Sequence, residues 1–228
     1  EGKGATYILE NRHSNQLNLQ FNTSINAQLT DKIKLQAGIG ANYTQASYYK
    51  TIKDLLGGSY WTDIDQFSER DYPENPELLQ NDLNNPSRKV VEGDRFGYDY
   101  NVNSYSVNAW LENIINLRHW DFNYGLKVSY TQFQRDGKMR NGRSPENSYG
   151  KGVIHKFDNA GIKAGATYKI DGRNSISAHA YYGTKAPLFD KAYISPRIKD
   201  DAIADLQSER ILSGDISYNF NYRRFHGT

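Results

Sequence analysis

The chain has no cysteine, which excludes a disulfide scaffold and a thiolate metal site. It has no apolar run near the roughly 18 residues of a membrane helix. The N-terminal stretch EGKGATYILENR lacks the basic segment and apolar core of a secretory signal, so an envelope protein with this sequence is expected to be processed or part of a longer chain. Charge of one sign is missing as well: 28 basic against 26 acidic residues give a formal net charge of +2, without the basic footprint of a nucleic-acid binder. Apolar content is low, at 37% with a mean hydropathy of -0.80, as in disordered chains. Disorder is argued against by 18 Tyr, 9 Phe and 3 Trp, because segments that stay unfolded are poor in aromatics.

What the sequence has is alternation. From Asn15 to Thr30 it reads NQLNLQFNTSINAQLT. Leu17, Leu19, Phe21, Thr23, Ile25, Ala27 and Leu29 form one series, and Gln16, Asn18, Gln20, Asn22, Ser24, Asn26 and Gln28 the other. A period of two is a strand with one apolar and one polar face. Leu17 to Leu29 is a run of roughly 40 Å at about 3.3 Å per residue. Tilted by about 40 to 45°, it rises about 28 Å, close to the apolar band of about 25 Å on an outer-membrane barrel. Ordinary globular strands are about five or six residues long.

The pattern recurs over residues 33–48, 100–116, 120–133, 157–170, 175–183 and 211–222. The expected fold class is therefore all-β: an antiparallel up-and-down meander of about seven long strands, forming part of a transmembrane β-barrel. Connections alternate. Those near Thr30-Asp31-Lys32, Leu117 to His119 and Asp171-Gly172-Arg173 are short, and the last has hairpin residues. Those over 49–98, 134–156 and 184–208 are long. Short periplasmic turns and long external loops are the outer-membrane rule. Helical turns are expected in the first long loop at Ile52 to Leu56, Asp63 to Glu69 and Pro76 to Leu83. Tyr43, Tyr48, Tyr105, Tyr130 and Phe133 are expected to form an aromatic girdle on the loop side, with Trp120, Phe122 and Tyr168 on the turn side.

Few residues invite chemistry. Asp63, Asp65 and Glu69, with Glu74 and Glu77, could pair as acid and base or hold calcium. Their spacing fits no calcium motif, and a solvated loop with helix-capping Asp is the expected state. No catalytic, metal or cofactor site is expected, and the chain is read as not an enzyme. Tyr60 and Trp61 are the candidate ligand or lid contacts, since aromatics with a polar edge suit wet interfaces; the plainer reading is that they pin their loop. His179 is expected to line the lumen. Arg135, Lys138, Arg140 and Arg143 are expected to form a solvated basic loop.

Lys53 to Pro86, KDLLGGSYWTDIDQFSERDYPENPELLQNDLNNP, resembles the long external loop of SusC-like TonB-dependent outer-membrane transporters of the Bacteroidetes. PENSYGK at Pro145 to Lys151 and the Ser195-Pro196-Arg197 segment, with the acidic stretch near 202–210, resemble the same family. The resemblance implies an outer-membrane barrel of about 22 strands closed by an N-terminal plug, paired with a SusD-like lipoprotein lid and driven by the TonB complex. Its cargo would be a glycan or peptide nutrient. Residues 1–228 then read as a partial barrel domain without plug or TonB box, in contact with outer-membrane lipid and the rest of the barrel. A soluble β-barrel or β-sandwich ligand-binding module is the alternative, and a purely structural or adhesin-like barrel a third reading.

Overall fold

The structure is a computed structural model that describes residues 2–222 and 225–227. Seven long strands run antiparallel: β1 Leu9–Thr30, β2 Ile33–Asp54, β3 Arg95–Asn116, β4 Trp120–Gly137, β5 His155–Lys169, β6 Asn174–Lys185 and β7 Glu209–Tyr222, followed by a short β8 at Phe225–Gly227. Each pairs with its neighbours in sequence, giving a meander curled into a half-barrel. The expected fold class is the observed one.

Register fixes the two faces. One row across the sheet reads Ile25, Ala37, Leu111, Leu126, Ile162, Tyr182 and Leu212. The adjacent row reads Ser24, Gly38, Trp110, Lys127, Gly161, Gly183 and Ile211. A slip of one residue would exchange these faces. The polar-row face is the concave one, because a single cavity of about 380 Å³ is bordered by residues of all six strands from β2 to β7. On a flat sheet at about 4.8 Å per strand, five strand spacings would hold its walls about 24 Å apart.

On the convex face large apolar side chains stay exposed although some pair with sheet neighbours, as Tyr43 does with Tyr105 at 4.7 Å between ring centres: Leu212 is 81% and Ile216 82% exposed. Continuous apolar surface of this extent marks a membrane or protein contact. The buried core lies instead at the loop end. One cluster joins Tyr98, Tyr100, Val102, Phe133, Phe157, Ala192 and Tyr193; a second joins Ile52, Leu55, Val90 and Phe96.

The strands outrun the membrane-length pattern. β1, β2 and β3 have 22 residues each, roughly 73 Å along the strand and about 55 Å in height at a tilt of about 40°, against an apolar band of about 25 Å. The extensions are polar on the convex side, as at Asn11, His13 and Asn15, and so lacked the alternation that reveals a strand. This extension also corrects the girdle. Tyr43, Tyr105 and Tyr130 share the convex-face parity of Leu126, whereas Tyr48 and Phe133 share the concave parity. Phe133 is only 1% exposed, in the core under the loops.

Turn chemistry closes the short connections. Thr30 Oγ1 accepts from the Lys32 and Ile33 N–H groups at 3.3 and 3.1 Å. Asp171 Oδ1 accepts from the Arg173 and Asn174 N–H groups at 2.7 and 2.8 Å, holding that carboxyl below the usual carboxylate range.

Candidate functional site

The three long loops are fastened to one another over the concave face. In the first, residues 55–94, a two-residue ladder of Trp61–Thr62 with Lys89–Val90 brings the ends together. Asp63 then organises the turn back to β3. Its Oδ1 accepts from Asn81 Nδ2 and the Gly97 N–H, both at 2.8 Å, and its Oδ2 from an Arg88 guanidinium nitrogen at 3.0 Å. Asp65 caps the single α-helix among the described residues, α1 Gln66–Asp71, by accepting from the Phe67 and Ser68 N–H groups. The expected helical turn at 63–69 is thus a helix shifted towards its C-terminal side. Ile52 belongs to β2, and residues 76–79 form turns, in which Asn75 Oδ1 accepts from the Glu77 N–H at 3.2 Å and Gln80 Nε2 donates to Pro76 O at 3.0 Å, local side-chain bonds that favour turns over a continuous helix.

Asp82 ties this loop to the second. Its Oδ1 accepts from the Arg140 N–H at 3.0 Å, while Leu83 N–H donates to Arg140 O at 2.7 Å and Gly142 N–H to Gln80 O at 2.8 Å. The second loop is tied in turn to the third: Asn147 Nδ2 donates to Asp201 Oδ1, and the Val153 N–H to Asp200 Oδ2, both at 2.7 Å.

Arg135 anchors the second and third loops to the wall. It was expected among solvated loop residues, yet it lies in β4 and is 2% exposed. Its Nε donates to Pro196 O at 2.7 Å and a terminal guanidinium nitrogen to Ser148 O at 2.9 Å. The guanidinium lies 5.2 Å from the Tyr100 ring centre. Burial pushes its pKa down, with Asp200 acting the other way, and an arginine stays charged under such conditions. Tyr100 is pushed up to about 12, chiefly by burial and then by Tyr48. Asp200, at the other end of the latch, is raised by burial against the opposing Val153 hydrogen bond and Arg135.

Beside this anchor a tyrosine ladder faces two clefts. Tyr48 and Tyr100 stack at 5.0 Å, Tyr98 follows at 6.2 Å, and Arg197 of the third loop lies over Tyr98 at 4.9 Å. One cleft, of about 470 Å³, has Tyr48, Tyr98, Tyr100 and Arg197 in its walls. The other, of about 450 Å³, is bordered by Glu10, Lys50, Trp61, Phe67, Tyr98 and Arg197. Here burial pushes the Glu10 carboxyl up, but the hydrogen bonds and charges of Arg12 and Lys50, at 2.7 and 3.0 Å, outweigh it and hold the group low. These clefts can hold a small ligand between aromatic faces, with guanidinium donors at the edge.

No family model matches the sequence, and no curated protein matches it. Among solved structures the chain is similar to that of the copper transporter OprC, with a TM-score of 0.49 and 12% identity over 93% of this chain and 28% of that one. The chain therefore spans little more than a quarter of the length of that structure.

The sequence-predicted contacts divide. Tyr60 is a loop pin: its carbonyl accepts from the Ala5 N–H at 2.7 Å, and Lys89 Nζ lies 4.4 Å from its ring centre. Trp61 packs on the cluster of Ile52, Leu55, Val90 and Phe96 and also borders the 450 Å³ cleft. His179 is on the concave face as expected, 3.2 Å from Asp215. Of the acidic cluster, Asp65 caps as expected, but Asp63 is buried rather than solvated. Tyr98, Tyr100, Arg135 and Arg197 were not singled out as site residues. Phe133 and Arg135 do continue the parity of β4, a signal that the strand runs on past Phe133.

Proposed function

We infer that this chain is a section of the wall of an outer-membrane TonB-dependent transporter, importing a glycan or peptide nutrient through a plugged barrel. The observation that carries this is the pairing of faces: a convex apolar band of membrane height, and a concave polar face roofed at one end by three interlocked loops. In this role the loops receive cargo at the tyrosine–arginine clefts, and Trp61 meets the cargo or a SusD-like lipoprotein lid. A plug elsewhere in the parent protein, moved by the TonB complex, opens the lumen. The chain itself performs no catalysis and needs no cofactor.

The test is made on the full reading frame. Envelope fractionation and gel mobility with and without boiling should place the protein in the outer membrane as a heat-modifiable barrel, and deleting the gene should abolish growth on the cargo. A parent protein found in the soluble fraction with no mobility shift would overturn the transporter.

A further inference from the structure

On the concave wall Gly161 of β5 lies opposite Lys127 of β4 on one side and Gly183 of β6 on the other. Two residues nearer the loops, and on the same face, these strands carry Ser129, Asn159 and Lys185; Ser129 and Asn159 are opposite each other. Lys127, Ser129, Asn159 and Lys185 all border the cavity of about 380 Å³, whose roof is Pro187 and Phe189 of the third loop. Tyr181 borders it too, and the glycine pair makes room for its hydroxyl: a Cβ at Gly161 would lie 2.6 Å from the phenol oxygen, and one at Gly183 2.5 Å from it.

Two ammonium groups border this cavity and no carboxylate does. Among the described residues neither Lys127 nor Lys185 has an ion-pair partner. Glu209 is opposite Lys185 across β6 and β7, but it does not border the cavity. Asn159 is 6% exposed, yet its amide nitrogen and its amide oxygen both lack a hydrogen-bond partner, as does Asn42 Oδ1. Asn42 Nδ2 is taken up by Thr44 Oγ1 at 3.1 Å. Buried polar atoms without partners are uncommon, and each asks for one.

We propose that this cavity is a binding site for inorganic phosphate. The two lysines match the charge of a dianion, and an ammonium group serves phosphate as a point charge. Asn159 Nδ2 and the hydroxyls of Ser129 and Tyr181 add neutral donors. The unpaired carboxamide oxygens select among anions. They need a donor from whatever fills the cavity; phosphate at neutral pH keeps a P–OH group, whereas sulfate and acetate carry no proton. The site is built from this chain's own side chains and depends on no particular cargo, so it goes beyond the transporter reading.

The test is titration calorimetry on the intact parent protein in detergent at neutral pH and fixed ionic strength, with sodium phosphate, sodium sulfate and sodium acetate as probes. Phosphate should bind, and sulfate and acetate should bind about tenfold more weakly, as expected for one hydrogen bond left unmade. Lys127→Met and Lys185→Met should each weaken phosphate about tenfold through loss of a charge-assisted bond. Asn159→Ala should narrow the preference for phosphate over sulfate. Both lysines are exposed, so their substitution should leave heat-modifiable mobility unchanged. No phosphate binding, sulfate or acetate bound as tightly as phosphate, phosphate binding indifferent to both lysine substitutions, or a preference unchanged in Asn159→Ala would each overturn the site. Envelope localisation of the same protein reports on the transporter reading separately.

Discussion

Arg135 is one side chain holding two loops, and its removal should act locally. Arg135→Met leaves the carbonyls of Pro196 and Ser148 without their donor, at a cost of about 1–3 kcal/mol for each such group. Faster hydrogen exchange and protease cleavage at 190–206, with strand exchange unchanged, is the expected result; unchanged loop protection would show that the latch does not depend on it. Asp200 and Glu10 give opposite pH signs. Asp200 has a raised folded pKa, so the folded loop binds its proton more tightly than the unfolded chain does, and stability falls as pH rises from about 4, the unfolded value, through the folded one. Arg135 and His155 favour its charged form and Asp201 opposes it. Asp200→Asn keeps an acceptor for the Val153 N–H, and should protect the loop at neutral pH and remove this dependence. Glu10 has a lowered folded pKa, so its contribution is present above about 4 and lost as pH falls through the folded value. Loop exchange measured from pH 3 to 7 separates the two.

At the scale of elements, the β2–β3 pair shifts register between Tyr49 and Lys50, and Gly97 there has φ +74. A Cβ at this position would meet Lys50 Cε at 2.1 Å. Gly97→Ala should therefore cost about 1–2 kcal/mol from backbone conformation alone and displace Lys50 from Glu10, seen as a lower melting temperature and a weaker acid dependence of Glu10, which keeps its Arg12 partner. The two faces of β4 make the complementary prediction. Leu126 is in the middle of the convex band, where arginine costs about 2–4 kcal/mol at the membrane midplane. Leu126→Arg should reduce the folded, heat-modifiable fraction, and Thr131→Arg on the concave face should leave it nearly intact.

The whole molecule is a curved sheet with edges at β1 and β8 and an uncovered convex face. Unpaired edges are templates for other chains, so the 228-residue chain alone in water should aggregate or oligomerise, and detergent should suppress this by covering the apolar band. A stable monomer by light scattering without detergent would contradict the membrane assignment of that face.

Periodicity by itself determined the seven strands, their order and the face of each apolar series, though not that of Tyr48 and Phe133 at the loop end, because a period of two over twelve or more residues has few other solutions. The short turns were equally legible, since Thr30 and Asp171 act on their own near neighbours. Only tertiary structure decided the length of the strands and the nature of the loop layer. Beyond Asn15 in β1 and Phe133 in β4 both faces turn polar or become buried, so the alternation fades while the ladder continues. Arg135 read as one charge in a basic loop because its partners, the carbonyls of Ser148 and Pro196, are backbone groups 13 and 61 residues away. Asn159 read as one more polar residue of a strand, and only folding buried it and left its amide unpaired.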